Sequence, residues 1–176
     1  MRPALAALAP LAPLATVLMA PLSAQFRQPE PHFQTRELRY SLSDRAYVAI
    51  FVILPGRGVA LLYPFNAPTT PEGAGDHAIP LESASLRREQ RVQALLADGE
   101  QAGQAYLLLV ASRVPLRLTP YVSRQDALDS AIGPAVQRGL SMDAVVTSLV
   151  KLVVNVSSAD DVAYDVDQSR SVIPRR

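Results

Sequence analysis

Two uninterrupted stretches of apolar, β-branched and aromatic residues limit what this chain can fold into: AYVAIFVIL at 46–54 and AYLLLVAS at 105–112. Runs of eight or nine such residues are too short for a free-standing helix and too apolar for a strand with a wet face. They suit strands covered on both sides. The sequence therefore predicts at least one sheet with these two strands in its interior and further layers packed above and below it.

Local chemistry around the first run supplies its neighbour. Pro55 and Gly56 give one turn position a fixed φ and the next a permissive one, and Gly58 adds freedom. Residues 58–64, GVALLYP, then resume a β-type pattern, so 46–64 reads as a hairpin closed by Pro64. Upstream, Leu38, Tyr40 and Leu42 alternate with Arg39 and Ser41, which predicts a half-buried strand over 38–42. Residues 65–76 concentrate Pro, Gly, Thr, Asn and Asp and read as loop, and HAIPL at 77–81 reads as a short edge strand that tolerates Pro80.

The C-terminal half changes period. Ser123 with Asp126 looks like a capping box, and Leu128, Ala131 and Ile132 follow at helical spacing until Pro134 ends or kinks the helix. Ser141 opens another helix, with Met142, Val145, Val146, Leu149 and Val153 on one face and Asp143, Thr147 and Lys151 on the other. VAYDVD at 162–167 alternates as a surface strand does. Residues 85–98 fit either a helix or a strand, with the helix favoured by Val92, Leu95 and Leu96 and a stop at Gly99. The predicted fold class is mainly β with helices (α+β), an antiparallel β-sandwich-like domain with two or three packed helices toward the C-terminus.

The first 24 residues follow a different grammar. One cation, Arg2, precedes an apolar stretch to Ala20 and a small-residue exit at Ser23 and Ala24. Pro10, Pro13 and Pro21 break a stretch already at the lower limit for spanning a bilayer, so a cleaved leader is favoured over a stable anchor. The expected cut lies near Ala24, although Leu22 stands three residues before it, where a small side chain is preferred. Residues 25–36, with Pro29 and Pro31, read as a flexible spacer, and 37–176 as a single β-rich globular domain. The expected localisation is periplasmic or secreted.

Composition narrows the function classes. The 176 residues are 49% hydrophobic and 19% charged, enough for a packed core. Without the leader, basic and acidic residues stand equal at 16 each, so no long-range field gathers nucleic acid or an anionic membrane. Cysteine is absent, which removes disulfides, thiolate metal sites, a Cys nucleophile and a lipoprotein anchor.

The block at 38–64, LRYSLSDRAYVAIFVILPGRGVALLYP, resembles the bacterial family called domain of unknown function 4384. The resemblance is carried by the Ser43, Asp44, Arg45 lead-in, Tyr47 opening an apolar strand, glycines at the turn, and the exit Leu62, Tyr63, Pro64. AYLLLVASRVPL at 105–116 is similar to the family's later strand and its Ser-Arg-x-Pro-Leu turn. About half of the chain beyond the leader is covered. The resemblance implies an exported or envelope-associated β-sandwich accessory module, sometimes joined to peptidase or kinase domains, and it brings no catalytic residues with it.

Candidate chemistry is sparse. His32 lies in the spacer, and Asp76 beside His77 could form a base pair for a serine hydrolase, although adjacent strand residues point to opposite faces. Ser148 and Lys151 match S-x-x-K without its companion motifs, and Asn155 to Ser157 fits a glycosylation triplet. Arg87, Arg88 and Arg91 could contact an acidic partner, but Glu89 among them favours a solvated helix face. Tyr40, Tyr47, Tyr63 and Tyr106 read as core or rim residues. The expectation is a non-enzymatic accessory domain without a cofactor that binds another cell-envelope protein. The alternatives are a carrier of a small apolar ligand and a hydrolase built on Asp76 and His77.

Overall fold

The computed structural model describes residues 20–27, 37–55, 58–65, 69–80, 105–123, 125–154 and 159–169. In chain order these form β1 (Ala24–Arg27), β2 (Glu37–Leu42), β3 (Tyr47–Leu54), β4 (Gly58–Tyr63), β5 (Gly75–Pro80) and β6 (Ala105–Ser112). There follow α1 (Thr119–Ser123), α2 (Gln125–Gln137), α3 (Met142–Val153), a 3-10 turn (Ala159–Asp161) and β7 (Val162–Ser169). The strands make two antiparallel sheets, one ordered β1-β2-β5 and the other β4-β3-β6-β7. The fold is mainly β, sandwich-like, with its helices toward the C-terminus, as the sequence predicts.

The two apolar runs are neighbours. Val48 pairs with Ala111 and Val52 with Leu107, placing β3 and β6 side by side in the four-stranded sheet. Their double-sided burial follows from three layers. Val48, Ile50, Val52 and Leu54 of β3, with Leu107, Leu109 and Ala111 of β6, meet Leu38, Tyr40, Leu42 and Ile79 of the smaller sheet. The alternate residues, Ala49, Phe51, Ile53, Leu108 and Val110, meet Leu128, Ile132 and Val136 of α2 and Val145, Val146, Leu149 and Val153 of α3. Each such side chain taken fully out of water contributes roughly 1.5–3 kcal/mol, so the two interlayer cores carry most of the stability.

The pairing of β3 with β4 is irregular. Phe51 faces Leu61 but Ile50 faces Tyr63, which leaves Leu62 as an extra residue, a β-bulge. Strict alternation would send Leu62 and Tyr63 to opposite faces. Both instead pack against the inter-sheet core, so the bulge turns the Tyr63 ring toward the smaller sheet.

Helix α3 matches its sequence pattern. Ser141 caps it, its side chain accepting from the Ala144 amide, and Val145, Val146, Leu149 and Val153 are buried while Asp143, Thr147 and Lys151 are exposed. One expectation for the preceding segment needs correction. Ser123 is the last residue of the short helix α1, and Pro134 lies inside α2, which runs on to Gln137 instead of ending at the proline. Proline is tolerated there because only one turn follows it and because Gly133 has no Cβ to clash with its ring. Gly139, at φ 69°, then takes the left-handed conformation that ends many helices.

β1 occupies residues that the sequence divided between leader and spacer. Gln25, Phe26 and Arg27 pair with Ser41, Tyr40 and Arg39, so the loop reading fails for these three. A four-residue strand is too short to show a period, and the proline density begins only at Pro29. In β7, Tyr164 is exposed and Asp165 half-buried, the reverse of a simple apolar-in pattern. The cause is β1, whose Phe26 amide donates to Asp165 Oδ2 at 2.8 Å and so links the edges of the two sheets. The 85–98 segment, the spacer from residue 28 to 36 and residues 56 and 57 of the turn lie outside the described residues.

A single arginine fastens the N-terminal segment. Arg113, only 14% exposed at its side chain, pairs with Asp44 Oδ2 at 3.1 Å and Asp161 Oδ1 at 3.5 Å. It also donates to the carbonyls of Ala20 at 2.6 Å and Asp160 at 3.0 Å. Beside it, the Leu22 amide donates to Asp160 O, and Ser23 exchanges two bonds with Ser43. The Arg45 amide, bonded to Asp44 Oδ1 at 2.7 Å, and then the Arg113 guanidinium hold the Asp44 carboxyl below the usual carboxylate range. A carboxyl lowered in the folded state stabilises the fold fully above its ordinary pKa and loses that contribution as pH falls through the folded value. The gap in thermal midpoint between the native chain and Asp44→Asn should therefore be widest near neutral pH and close on acidification. A gap that stays constant into the acid range would show that the carboxylate charge plays no part.

Candidate functional site

A polar cluster that joins both sheets sits around Glu72. Its backbone forms a two-way bridge with Ala46, the Ala46 amide donating to Glu72 O at 2.9 Å and the Glu72 amide to Ala46 O at 2.7 Å. That bridge extends the line of β3 and places the Glu72 side chain between the sheets. Tyr40 of β2 donates its hydroxyl to Oε2, and Tyr63 of β4 donates to Oε1 at 2.8 Å. His77 of β5 brings Nδ1 to 3.2 Å from Oε2, and its Nε2 lies 2.8 Å from the carbonyl of Gly73.

Each partner reaches Glu72 for a local reason. Tyr40 and His77 are directly opposed across β2 and β5, and their rings stack with centroids 5.2 Å apart and planes 17° from parallel. Tyr63 reaches inward because of the bulge at Leu62, and its ring meets Phe65 edge-on at 5.5 Å, beyond the cis bond to Pro64. One carboxylate thus receives two hydroxyls and an imidazole from three strands of both sheets. Tyr40 is 1% exposed, so its hydroxyl has no access to water as a substitute partner.

Burial pushes both tyrosine hydroxyls up, and the bond to the Glu72 carboxylate and its charge push them further, because a phenolate there would be desolvated beside an anion. A group raised on folding stabilises the fold fully below its unfolded pKa and loses that contribution as pH rises through the folded value. Of the six tyrosines, Tyr40 and Tyr63 should therefore resist ionisation in strong alkali until the chain unfolds. Phenolate absorbance followed beside circular dichroism would test this, and a full set of phenolates appearing while the fold persists would refute it.

Two clefts that share Tyr63, Phe65 and Glu72 in their walls open beside the cluster. One, of about 380 Å³, is bounded by Tyr63, Phe65, His77, Ala78, Ile79 and Pro80, and the other, of about 220 Å³, by Val48, Pro64, Phe65, Thr69, Thr70 and Glu72. β5 borders the larger cleft and pairs only with β2 among the described residues, which makes it an edge strand of the sheet they form.

His77 belongs to this cluster, but Asp76 does not. Asp76 points to the opposite face of β5, where it lies 3.5 Å from Arg27 in a largely exposed pair of the kind that contributes little. The acidic partner of His77 is Glu72, and both ring nitrogens are already engaged, so neither is placed to take a proton from a serine. Ser148 donates to the Ala144 carbonyl within α3 at 2.8 Å, which is ordinary helix chemistry. Tyr47 and Tyr106 are half-buried against the helical core. Arg87, Arg88, Arg91, His32 and the triplet beginning at Asn155 lie outside the described residues.

Sequence reasoning missed Glu72. It sits in a segment whose composition reads only as loop, and its importance depends on three strands brought together by folding. Among the described residues no group of three or more His, Asp or Glu side chains could hold a metal ion, and no helix is long and apolar enough to cross a membrane. The chain matches no family model, no curated protein and no solved structure.

Proposed function

We propose that this chain is an exported, non-enzymatic accessory domain that binds another cell-envelope protein, and that the cleft beside β5 receives an extended segment of that partner. The observation that carries the proposal is the edge strand of the described sheet beside a cleft of mixed lining, in which Phe65, Ala78 and Pro80 stand next to Glu72 and His77. An extended peptide can add as a strand to such an edge, drawing affinity from main-chain bonds and specificity from a side chain set into a pocket. The cleft beside Phe65, Ala78 and Pro80 would take an apolar side chain of that segment. Export rests on the leader grammar of residues 1–24, and the accessory role on the resemblance to domain of unknown function 4384. The double engagement of His77 favours a binding module over a hydrolase.

A carrier of a small apolar ligand has less support. The side chains of β3 and β6 that would have to line its cavity are packed against the smaller sheet on one face and the helices on the other.

A photoreactive residue placed at Ala78 in cells, with one at Thr147 on the exposed face of α3 as control, would test the proposal. The expected result is one recurrent crosslinked envelope protein from Ala78 and none from Thr147. Recovery of no product, or of the same products from both positions, would overturn it.

A further inference from the structure

We infer that the exported chain keeps residues 21–27, so that any cut by the export peptidase falls at or before the bond between Ala20 and Pro21. This rests on the export reading but departs from a cut near Ala24. The residue three places before does not separate the two bonds, because it is leucine in each case, Leu18 in one and Leu22 in the other. The folded contacts do separate them.

A cut after Ala24 would remove groups that the domain uses. Leu22 and Ala24 are buried at 6% and 5% exposure in the inter-sheet core. The Leu22 amide bonds to Asp160 O at 3.0 Å, the Ser23 amide to Ser43 Oγ at 2.8 Å, and Ser23 O accepts from the Ser43 amide at 2.9 Å. Ala24 is also the first paired residue of β1, opposite Leu42. Residues 22–24 thus alternate in burial like the strand they lead into, buried, exposed, buried. They belong to the fold, not to its discarded address. Even the carbonyl of Ala20 is gripped by Arg113 at 2.6 Å, although a cut at that residue would spare everything from Pro21 onward.

The chemistry required is hydrolysis of one peptide bond, with water supplying the hydroxyl of the new carboxyl group and the proton of the new amine. The test is the intact mass and N-terminal sequence of the native chain recovered from fractionated bacterial cells. The expected first residue is Pro21 or an earlier one, and a full-length chain in the membrane fraction upholds the inference as a retained leader. An exported chain that begins at Leu22 or later overturns it while leaving export intact. A full-length chain in the soluble cytosolic fraction overturns both. As a second measurement, exported versions beginning at Pro21 and at Gln25 should differ by several degrees in melting midpoint, and equal midpoints would contradict the structural role assigned to residues 22–24.

Discussion

Phe51→Ala should lower the unfolding free energy by about 3–5 kcal/mol, the range seen when a large aromatic side chain is removed from a packed core. Phe51 sits near the middle of β3, fully buried, opposite Leu61 on one side and Leu108 on the other, with its ring in the core shared with α2 and α3. Strands hem it in on two sides and helices cover it, so the surroundings have little room to collapse into the space left behind. The cost then combines lost transfer energy with a residual cavity. Against a typical stability of roughly 5–15 kcal/mol, that is enough to leave a sizeable unfolded population near body temperature. Chemical denaturation would measure it as a shift of the midpoint at unchanged slope. Tyr164→Ala supplies the contrast, because Tyr164 is 56% exposed and its loss should fall within about 0.5 kcal/mol of zero. A Phe51 variant destabilised by no more than the Tyr164 variant would mean that β3 is not the buried centre of the sheet.

The same residues show how far the fold could be read in advance. The double-sided burial of β3 and β6 was legible because eight or nine consecutive apolar residues admit few other arrangements, and α3 was legible because its five apolar residues recur at helical spacing. Both signals are local. What escaped notice depends on contacts between distant segments. β1 is recognisable only once Phe26 meets Tyr40 and Asp165, and nothing within AQFR announces a strand. The bulge at Leu62 lies in GVALLYP, a continuously apolar run with no alternation to show the break, and no glycine stands beside it. Pro134 was read by its usual effect on helices, which Gly133 and the nearby helix end reduce.

The candidate site was half legible for the same reason. Tyr40, Tyr63 and His77 were each singled out, but for separate and mostly bland reasons, and the one carboxylate weighed for His77 was Asp76, which strand geometry already counted against. Sequence adjacency suggested Asp76, whereas strand geometry turns neighbouring residues to opposite faces and leaves Asp76 beside Arg27. The right partner lies five residues back, across a loop whose composition carries no chemical signal. A carboxylate that collects donors from β2, β4 and β5 is a tertiary fact, and so is the cleft that opens beside it.

Glu72→Ala should cost about 2–4 kcal/mol, and the way this cost couples to Tyr40 distinguishes a structural buckle from a surface ornament. Removing the carboxylate leaves the Tyr40 hydroxyl buried without the acceptor it uses, and stranding a buried donor costs about 1–3 kcal/mol by itself. Tyr63 is half-buried and can turn to water, and His77 keeps the Gly73 carbonyl, so these two add less. Tyr40→Phe removes the donor together with its need, and Glu72 retains Tyr63 and His77, so that single change should cost only about 1 kcal/mol. The double variant should then be less destabilised than the sum of the two, with a coupling of about 0.5–3 kcal/mol, because the phenylalanine ring no longer presents a stranded hydroxyl. Strict additivity in denaturant titrations would mean that the Tyr40 to Glu72 bond contributes nothing. The two sheets would then be held here by apolar packing alone.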